Sequence, residues 1–276
     1  MRPIVFALTL LCSSAALAGP KDFVVYAPGM GGTAEQARPY LETFFRDLEK
    51  EMSWPTGSAD GQYFEEESAV AGYLASKKPG YGLVTPGMYL DLACKKESID
   101  IVATVVGVAN AGSSARYHVV VKNPDIKELK DLQGKKVSSN HLQNAKFISA
   151  VVFAGKLDAQ TYFKLEPTNS PIKPFKLVDR GEADAALVDD AQLAHMNTLP
   201  FGKELRVLYS SEPLPPFPVV SFGKVVKPAE RDAMKKTLLG LCATATGAPV
   251  CKSLSITRFE AVDPAAYKSA LAQYCK

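Results

Sequence analysis

The sequence predicts an α/β protein of two lobes joined by two extended crossovers. Three observations carry this. Short apolar strands alternate with amphipathic helical stretches, one strand-turn-helix unit of the first half recurs in kind in the second, and two segments unsuited to helix lie between the halves. The composition agrees with a packed protein. Of 276 residues, 47% are hydrophobic, 22% charged and 9% aromatic, which excludes a disordered or low-complexity chain. Basic residues number 32 and acidic ones 29, a net charge of +3 with no Lys/Arg run to track phosphates, so nucleic acid is not an expected partner.

Taken in order, the chain opens on Arg2, an apolar run from Ile4 to Leu11, and the small-x-small triplet Ala16-Leu17-Ala18. Residues 1–18 therefore read as a secretory signal peptide, too short in its apolar part to span a bilayer. A lipoprotein reading would need Cys12, but bulky leucines precede it where small residues belong. Phe23 to Ala27 is β-branched and aromatic, a short buried strand. A Gly-rich turn follows, and Thr33 with Gln36 has capping-box spacing. Ala37, Leu41, Phe44, Phe45, Leu48 and Met52 then recur at helical intervals. Further on, the pattern predicts strands at Tyr81 to Val84, Ile99 to Val106 and Lys135 to Ser138. It predicts helices at Met88 to Cys94, from near Asp125 to Leu132, and through Phe147, Ile148, Val151 and Val152.

The recurring unit is Pro79 to Pro86 followed by Met88-Tyr89-Leu90, and Arg180 to Asp189 followed by Ala191-Gln192-Leu193. In each, a glycine is expected to end a helix, an apolar strand follows, and a polar residue caps the next helix. The first crossover is the small, flexible Asn110 to Ser114, which leads into the strand Tyr117 to Val121. The second holds Pro213, Pro215, Pro216 and Pro218, and proline's fixed φ forces it to be extended. The lobes then comprise residues 19–110 with 219–276, and residues 115–211. Removing the signal leaves Cys94, Cys242, Cys251 and Cys275, an even set in an exported chain, with three connectivities open. The short loop between Cys242 and Cys251 makes these the natural local pair. Cys94 and Cys275 would then tie the C-terminal segment back to the first third.

The run Asn123 to Val137, containing Asp131-Leu132-Gln133-Gly134-Lys135-Lys136-Val137, resembles a signature of periplasmic solute-binding proteins of the type 2 fold. Gly181-Glu182-Ala183-Asp184-Ala185-Ala186 is similar to their recurring strand. The subgroup most similar is the phosphate/phosphonate-binding family of ABC-transporter receptors. The resemblance implies two α/β lobes closing on a small ligand, periplasmic location, a permease or other transport component as partner, and no catalysis or cofactor. The chain is expected to act as a monomer. By position, the residues implied for the cleft are Tyr26, Thr85, Tyr117, Ser138, Ser139, Asn140, His141 and Asp189; Thr85, Ser139 and Asp189 are equally readable as helix caps. The segment Ser138 to Asn144 has two serines but no glycine, and no histidine lies near Thr168 to Pro171, unlike the phosphonate receptors. The ligand therefore stays open between a phosphonate- or phosphate-like oxyanion and an apolar, lipid- or sterol-like molecule. A ligand-sensing module for a membrane kinase is the reading from another class.

Enzyme readings are weaker. Gly29-Met30-Gly31-Gly32-Thr33-Ala34 has dinucleotide-loop spacing, but the acidic residues that should follow, Glu49 and Glu51, fall inside a helix. His118, His141 and His195 lack metal-ligand spacing, and no hydrolase elbow is present. His118 reads as a satisfied strand residue. Lys227 to Lys236, rich in charge, reads as a solvated helix face.

Overall fold

A computed structural model describes residues 21–28, 33–107, 114–262 and 264–276. The signal segment, the Gly-rich turn and most of the first crossover lie outside the described residues. Strand β1 (Phe23–Tyr26) leads to α1 (Ala34–Glu51), whose entry is the anticipated capping box: Thr33 Oγ1 accepts from Gln36 N–H, and the Gln36 side chain accepts from Thr33 N–H. Strand β2 (Gly61–Phe64) and α2 (Glu67–Lys77) follow, both unmarked in the sequence pattern. The strand is only four residues long and α2 buries only Val70 completely, so neither carries a strong periodic signal. Lys78, not Gly80, takes the left-handed conformation ending α2, at φ 48°. Then come β3 (Tyr81–Leu83), α3 (Pro86–Cys94) and β4 (Ile99–Gly107), close to their predicted bounds.

Beyond the first crossover, β5 (Tyr117–Val121) and β6 (Lys136–Ser139) flank a segment predicted as helix. It holds only one 3-10 turn, at Leu129–Leu132. Asp131 accepts hydrogen bonds from the N–H groups of Lys127 and Glu128, drawing the backbone into a local turn instead of a helix. The short α4 (Ala145–Phe147) widens into a π-helical stretch, Ile148–Val152, in which Phe153 N–H bonds Ile148 O. The lobe continues with α5 (Ala159–Tyr162), β7 (Lys164–Pro167), α6 (Lys173–Asp179), β8 (Ala185–Asp189), α7 (Asp190–Met196) and β9 (Arg206–Ser210). Gly181, at φ 71°, closes α6 as anticipated. After the second crossover come β10 (Pro218–Phe222), α8 (Pro228–Leu241), α9 (Gly247–Ser253), β11 (Ile256–Glu260) and α10 (Pro264–Tyr274). Helix α8 turns Met234, Leu238 and Leu241 inward and leaves its charged residues exposed or half-buried.

The strands form two mixed sheets. One has the order β11-β4-β10-β3-β1-β2, the other β7-β6-β8-β5-β9. Each crossover strand enters its new sheet antiparallel: β5 between β8 and β9, and β10 between β3 and β4. The crossovers themselves meet at Ala115 and Leu214, which exchange backbone hydrogen bonds of 2.9 and 2.8 Å. The sheets share one continuous apolar cluster, in which Val24, Tyr26 and Met88 of one side pack with Tyr117, Phe147 and Ile148 of the other. Helix α10 contacts both α3 and the π-helical stretch. Its buried Tyr267 meets Tyr89 edge-on at 5.0 Å and donates to Pro216 O.

Both disulfides follow the pairing that loop length favoured, Cys242–Cys251 and Cys94–Cys275. The second links residues 181 apart in sequence. Closing so long a loop removes much unfolded-chain entropy, so the Cys94→Ser/Cys275→Ser variant should lose about 2–5 kcal/mol in urea unfolding. A loss below about 1 kcal/mol would show that core packing alone holds α10 in place.

Candidate functional site

A cavity of about 310 Å³ lies between the sheets, walled on one side by Ala27, Pro28, Pro86, Val105 and Phe217 and on the other by α6 and α7. Its polar residues come mainly from the second sheet, at the carboxyl ends of β6 and β8, where α/β ligand sites form. Asp189 ends β8 and caps α7 through a reciprocal box with Gln192: Gln192 N–H donates to Asp189 Oδ1 at 2.8 Å, and Asp189 N–H to Gln192 Oε1 at 3.1 Å. That box aims the Gln192 amide. Its Nε2 donates to Asn140 Oδ1 at 2.9 Å and to Pro171 O at 2.6 Å, while Oε1 also accepts from His141 Nε2 at 2.8 Å. An amide oxygen only accepts, so His141 Nε2 bears a proton in this contact. The same nitrogen lies 3.4 Å from Asp189 Oδ2, and the imidazole meets the Tyr117 ring edge-on at 5.1 Å. Asn140 Nδ2 then crosses to the first sheet, donating to Pro28 O at 3.0 Å.

Charge in the cavity is acidic. Asp189 and Asp190 line it, and no lysine or arginine does so among the described residues. Burial by itself raises the Asp189 carboxyl, but the His141 hydrogen bond and charge, with the N–H groups of Gln192 and Ala191, outweigh it and hold the group below its ordinary range. Asp190 accepts from Arg116 N–H at 2.7 Å and from His118 Nε2 at 2.9 Å. His118 Nδ1 lies 2.8 Å from Ser210 Oγ, so the buried ring is satisfied at both nitrogens, in keeping with its reading as a strand residue. Tyr117, buried beside these carboxylates, has its phenol pushed above the usual range by burial and then by their charge.

Of the eight positions anticipated from the sequence, Tyr117, Asn140, His141 and Asp189 line the cavity, and Tyr26, Thr85, Ser138 and Ser139 do not. Thr85 caps α3 by accepting from Met88 N–H at 3.1 Å, placing its neighbour Pro86 on the cavity wall. Ser139 Oγ accepts from His141 N–H, and Ser138 is wholly buried. Tyr26 reaches the other sheet instead, donating to Gln143 Oε1 at 3.0 Å. Gln143 also accepts from Glu67 N–H, at the start of α2, and donates to Glu65 O. Direct hydrogen bonds therefore join the two sheets at this end of the cleft. Gly87 lies so near α4 that a Cβ there would stand 3.0 Å from Phe147 Cβ and 3.1 Å from Asn144 Nδ2. The cavity residues not singled out from the sequence include Gln192, Asp190, Ile172 and Phe175. For Gln192 a signal existed, since Asp189-x-x-Gln192 is a capping-box spacing.

Two outcomes follow from this geometry. A carboxyl held low when folded stabilises fully above its unfolded pKa, about 3.9 for aspartate, and loses that contribution as pH falls through the folded value. Asp189→Asn should therefore flatten the dependence of unfolding free energy on pH below about pH 4, measured by urea titration at successive pH values; an unchanged slope contradicts the low carboxyl. Gly87→Ala forces α3 from α4 and should cost about 1–3 kcal/mol, whereas Gly72→Ala, on an open face of α2, should not destabilise.

Solved structures with this architecture are numerous. A Xanthomonas citri protein bound to ATP superposes with a TM-score of 0.73, at 11% identity over 92% of this chain and 96% of that one. A Prochlorococcus marinus protein in complex with methylphosphonate gives 0.69, at 13% identity over 91% and 96%. A binding-protein component of an ABC phosphonate transporter from Pseudomonas aeruginosa gives 0.67, at 15% identity over 90% and 83%. At these identities the likeness is one of fold, that of the two-lobed type 2 periplasmic binding proteins. No curated protein matches by sequence. Residues 36–267, most of the chain, match the family described as ABC transporter, phosphonate, periplasmic substrate-binding protein, a family of substrate carriers and not an enzyme class. With two lobes, paired crossovers and a cavity between the sheets, the chain belongs to the phosphonate-binding family of ABC-transporter periplasmic substrate-binding proteins.

Proposed function

We propose that this protein is a non-enzymatic periplasmic receptor that closes its two lobes, residues 19–110 with 219–276 and residues 115–211, on a small phosphonate-like ligand and presents it to a membrane permease. The observation that carries this reading is the Asn140–His141–Asp189–Gln192 network, whose polar groups converge on a cavity faced by both sheets. Asn140 Nδ2 and the Tyr117 hydroxyl are the neutral donors offered to an oxyanion, while the His141 Nε2–H is already given to Gln192 Oε1. The two aspartates, with no lysine or arginine beside them, favour a ligand that also carries a positive or protonated group. An aminoalkylphosphonate has both ends. Ligand would then shift the lobes toward a closed arrangement, a reading that the Asn140–Pro28 hydrogen bond between the two sheets supports.

Titration calorimetry on the disulfide-bonded chain tests the reading. An aminoalkylphosphonate should bind tighter than methylphosphonate, and Asn140→Ala should weaken it at least tenfold, the scale of a lost hydrogen bond to a charged group. Absence of heat with every phosphonate, on protein verified as folded, would refute it.

A further inference from the structure

A second cavity, of about 240 Å³, lies under α1 on the six-stranded sheet. Val25 and Leu83 form its floor, Ala37, Leu41 and Phe44 one wall, and Phe259 of β11 another. No charged side chain lines it among the described residues, and the phenol of Tyr63 is already committed to Ala27 O at 2.8 Å. Tyr40, 47% exposed, and Ser253 stand at its mouth, so the cavity opens to solvent, and an apolar guest that covers its aliphatic and aromatic walls is favoured.

Its position gives it meaning. Leu254 and Ile256 line this cavity and also the first one, so the two adjoin along the turn between α9 and β11. Ser255, between them, lines the first cavity and takes the left-handed conformation at φ 55°, a strained setting for a residue with a side chain. Cys251, a few residues earlier in α9, is fixed by its disulfide, so the turn hangs from a rigid anchor. The network at His141 and Asp189 supplies a polar end, and the space beyond the Leu254–Ile256 turn supplies an apolar one.

We infer that the second cavity holds an apolar tail, a linear alkyl or aryl group, of the ligand whose polar head sits in the first. The inference rests on the reading of the first cavity as the ligand site. It makes the preferred ligand an amphiphile instead of a bare oxyanion.

The test uses the full disulfide-bonded chain and two kinds of probe. N-phenyl-1-naphthylamine, which is uncharged, should brighten on binding. Leu41→Trp, which fills the space from α1, should weaken that binding at least tenfold. Ser253→Trp at the exposed rim offers a second block that leaves the core untouched. In an alkylphosphonate series, affinity should rise about fourfold per methylene until the cavity is full, and both variants should abolish the rise while sparing methylphosphonate. Dye binding indifferent to both variants, or octylphosphonate binding no tighter than methylphosphonate, overturns the inference. If the dye binds and both variants block it while no phosphonate binds, the oxyanion reading falls and the apolar site stands.

Discussion

The chain leaves its first sheet once and returns once, and the pairing of those two passages governs the rest of the molecule. Ala115 and Leu214 exchange backbone hydrogen bonds where the crossovers run side by side, and each crossover feeds an antiparallel strand into an otherwise mostly parallel sheet. The prolines on both sides of Leu214 keep the return passage extended and limit its own hydrogen bonding, so its partner is the other crossover. With both passages fixed together, the sheets face each other across a gap whose floor is the crossovers themselves. Ala115 and Tyr117 from one passage and Phe217 from the other accordingly line the cavity.

The two ends of that gap are treated differently. At one, Gln143 enters the start of α2 and takes the Tyr26 phenol and the Glu67 N–H, while Gly87 lets α3 press against α4. At the other, the carboxyl ends of β6 and β8 present Asn140, His141 and Asp189, held by a Gln192 amide whose own orientation is set by a helix cap. Helix capping and site geometry are thus one set of hydrogen bonds. A cap residue that would otherwise serve only α7 also orients the imidazole and, through Asn140, reaches the opposite sheet. The C-terminal helix α10 supports this arrangement from outside, joined to α3 by Cys94–Cys275 and donating to Asn144 Oδ1 through the Tyr274 hydroxyl at 3.3 Å.

Legibility in the sequence followed the range of the forces involved. The capping box at Thr33, the helix cap at Asp189, the Thr85-Pro86 start of α3, the apolar strands and the local disulfide depend on neighbours within a few residues, and the local pattern shows each. Periodicity predicts a helix from near Asp125 to Leu132, but Asp131 competes for its backbone N–H groups, a geometry that periodicity does not register. Strand β2 and α2 leave little mark in the sequence, because their burial comes from distant partners and their own patterns are weak. Tyr26, Thr85, Ser138 and Ser139 were sensible cleft candidates by position at strand ends. Their side chains instead contact Gln143, the α3 backbone, the buried core and the His141 backbone, respectively.

The sequence by itself determined the alternation of strands and helices, the extended proline-bearing return crossover, the even cysteine set and the chemistry of the cap residues. All of these follow from proline's fixed φ, side-chain periodicity and short-range hydrogen bonding. Only the tertiary structure decided which polar residues share a cavity, that Gln192 aims His141 and Asn140, and that a second apolar space adjoins the first through Leu254 and Ile256. The reason is physical: which strand ends and which helix faces meet is set by packing between segments far apart in the chain, and no local pattern encodes the volume left between them.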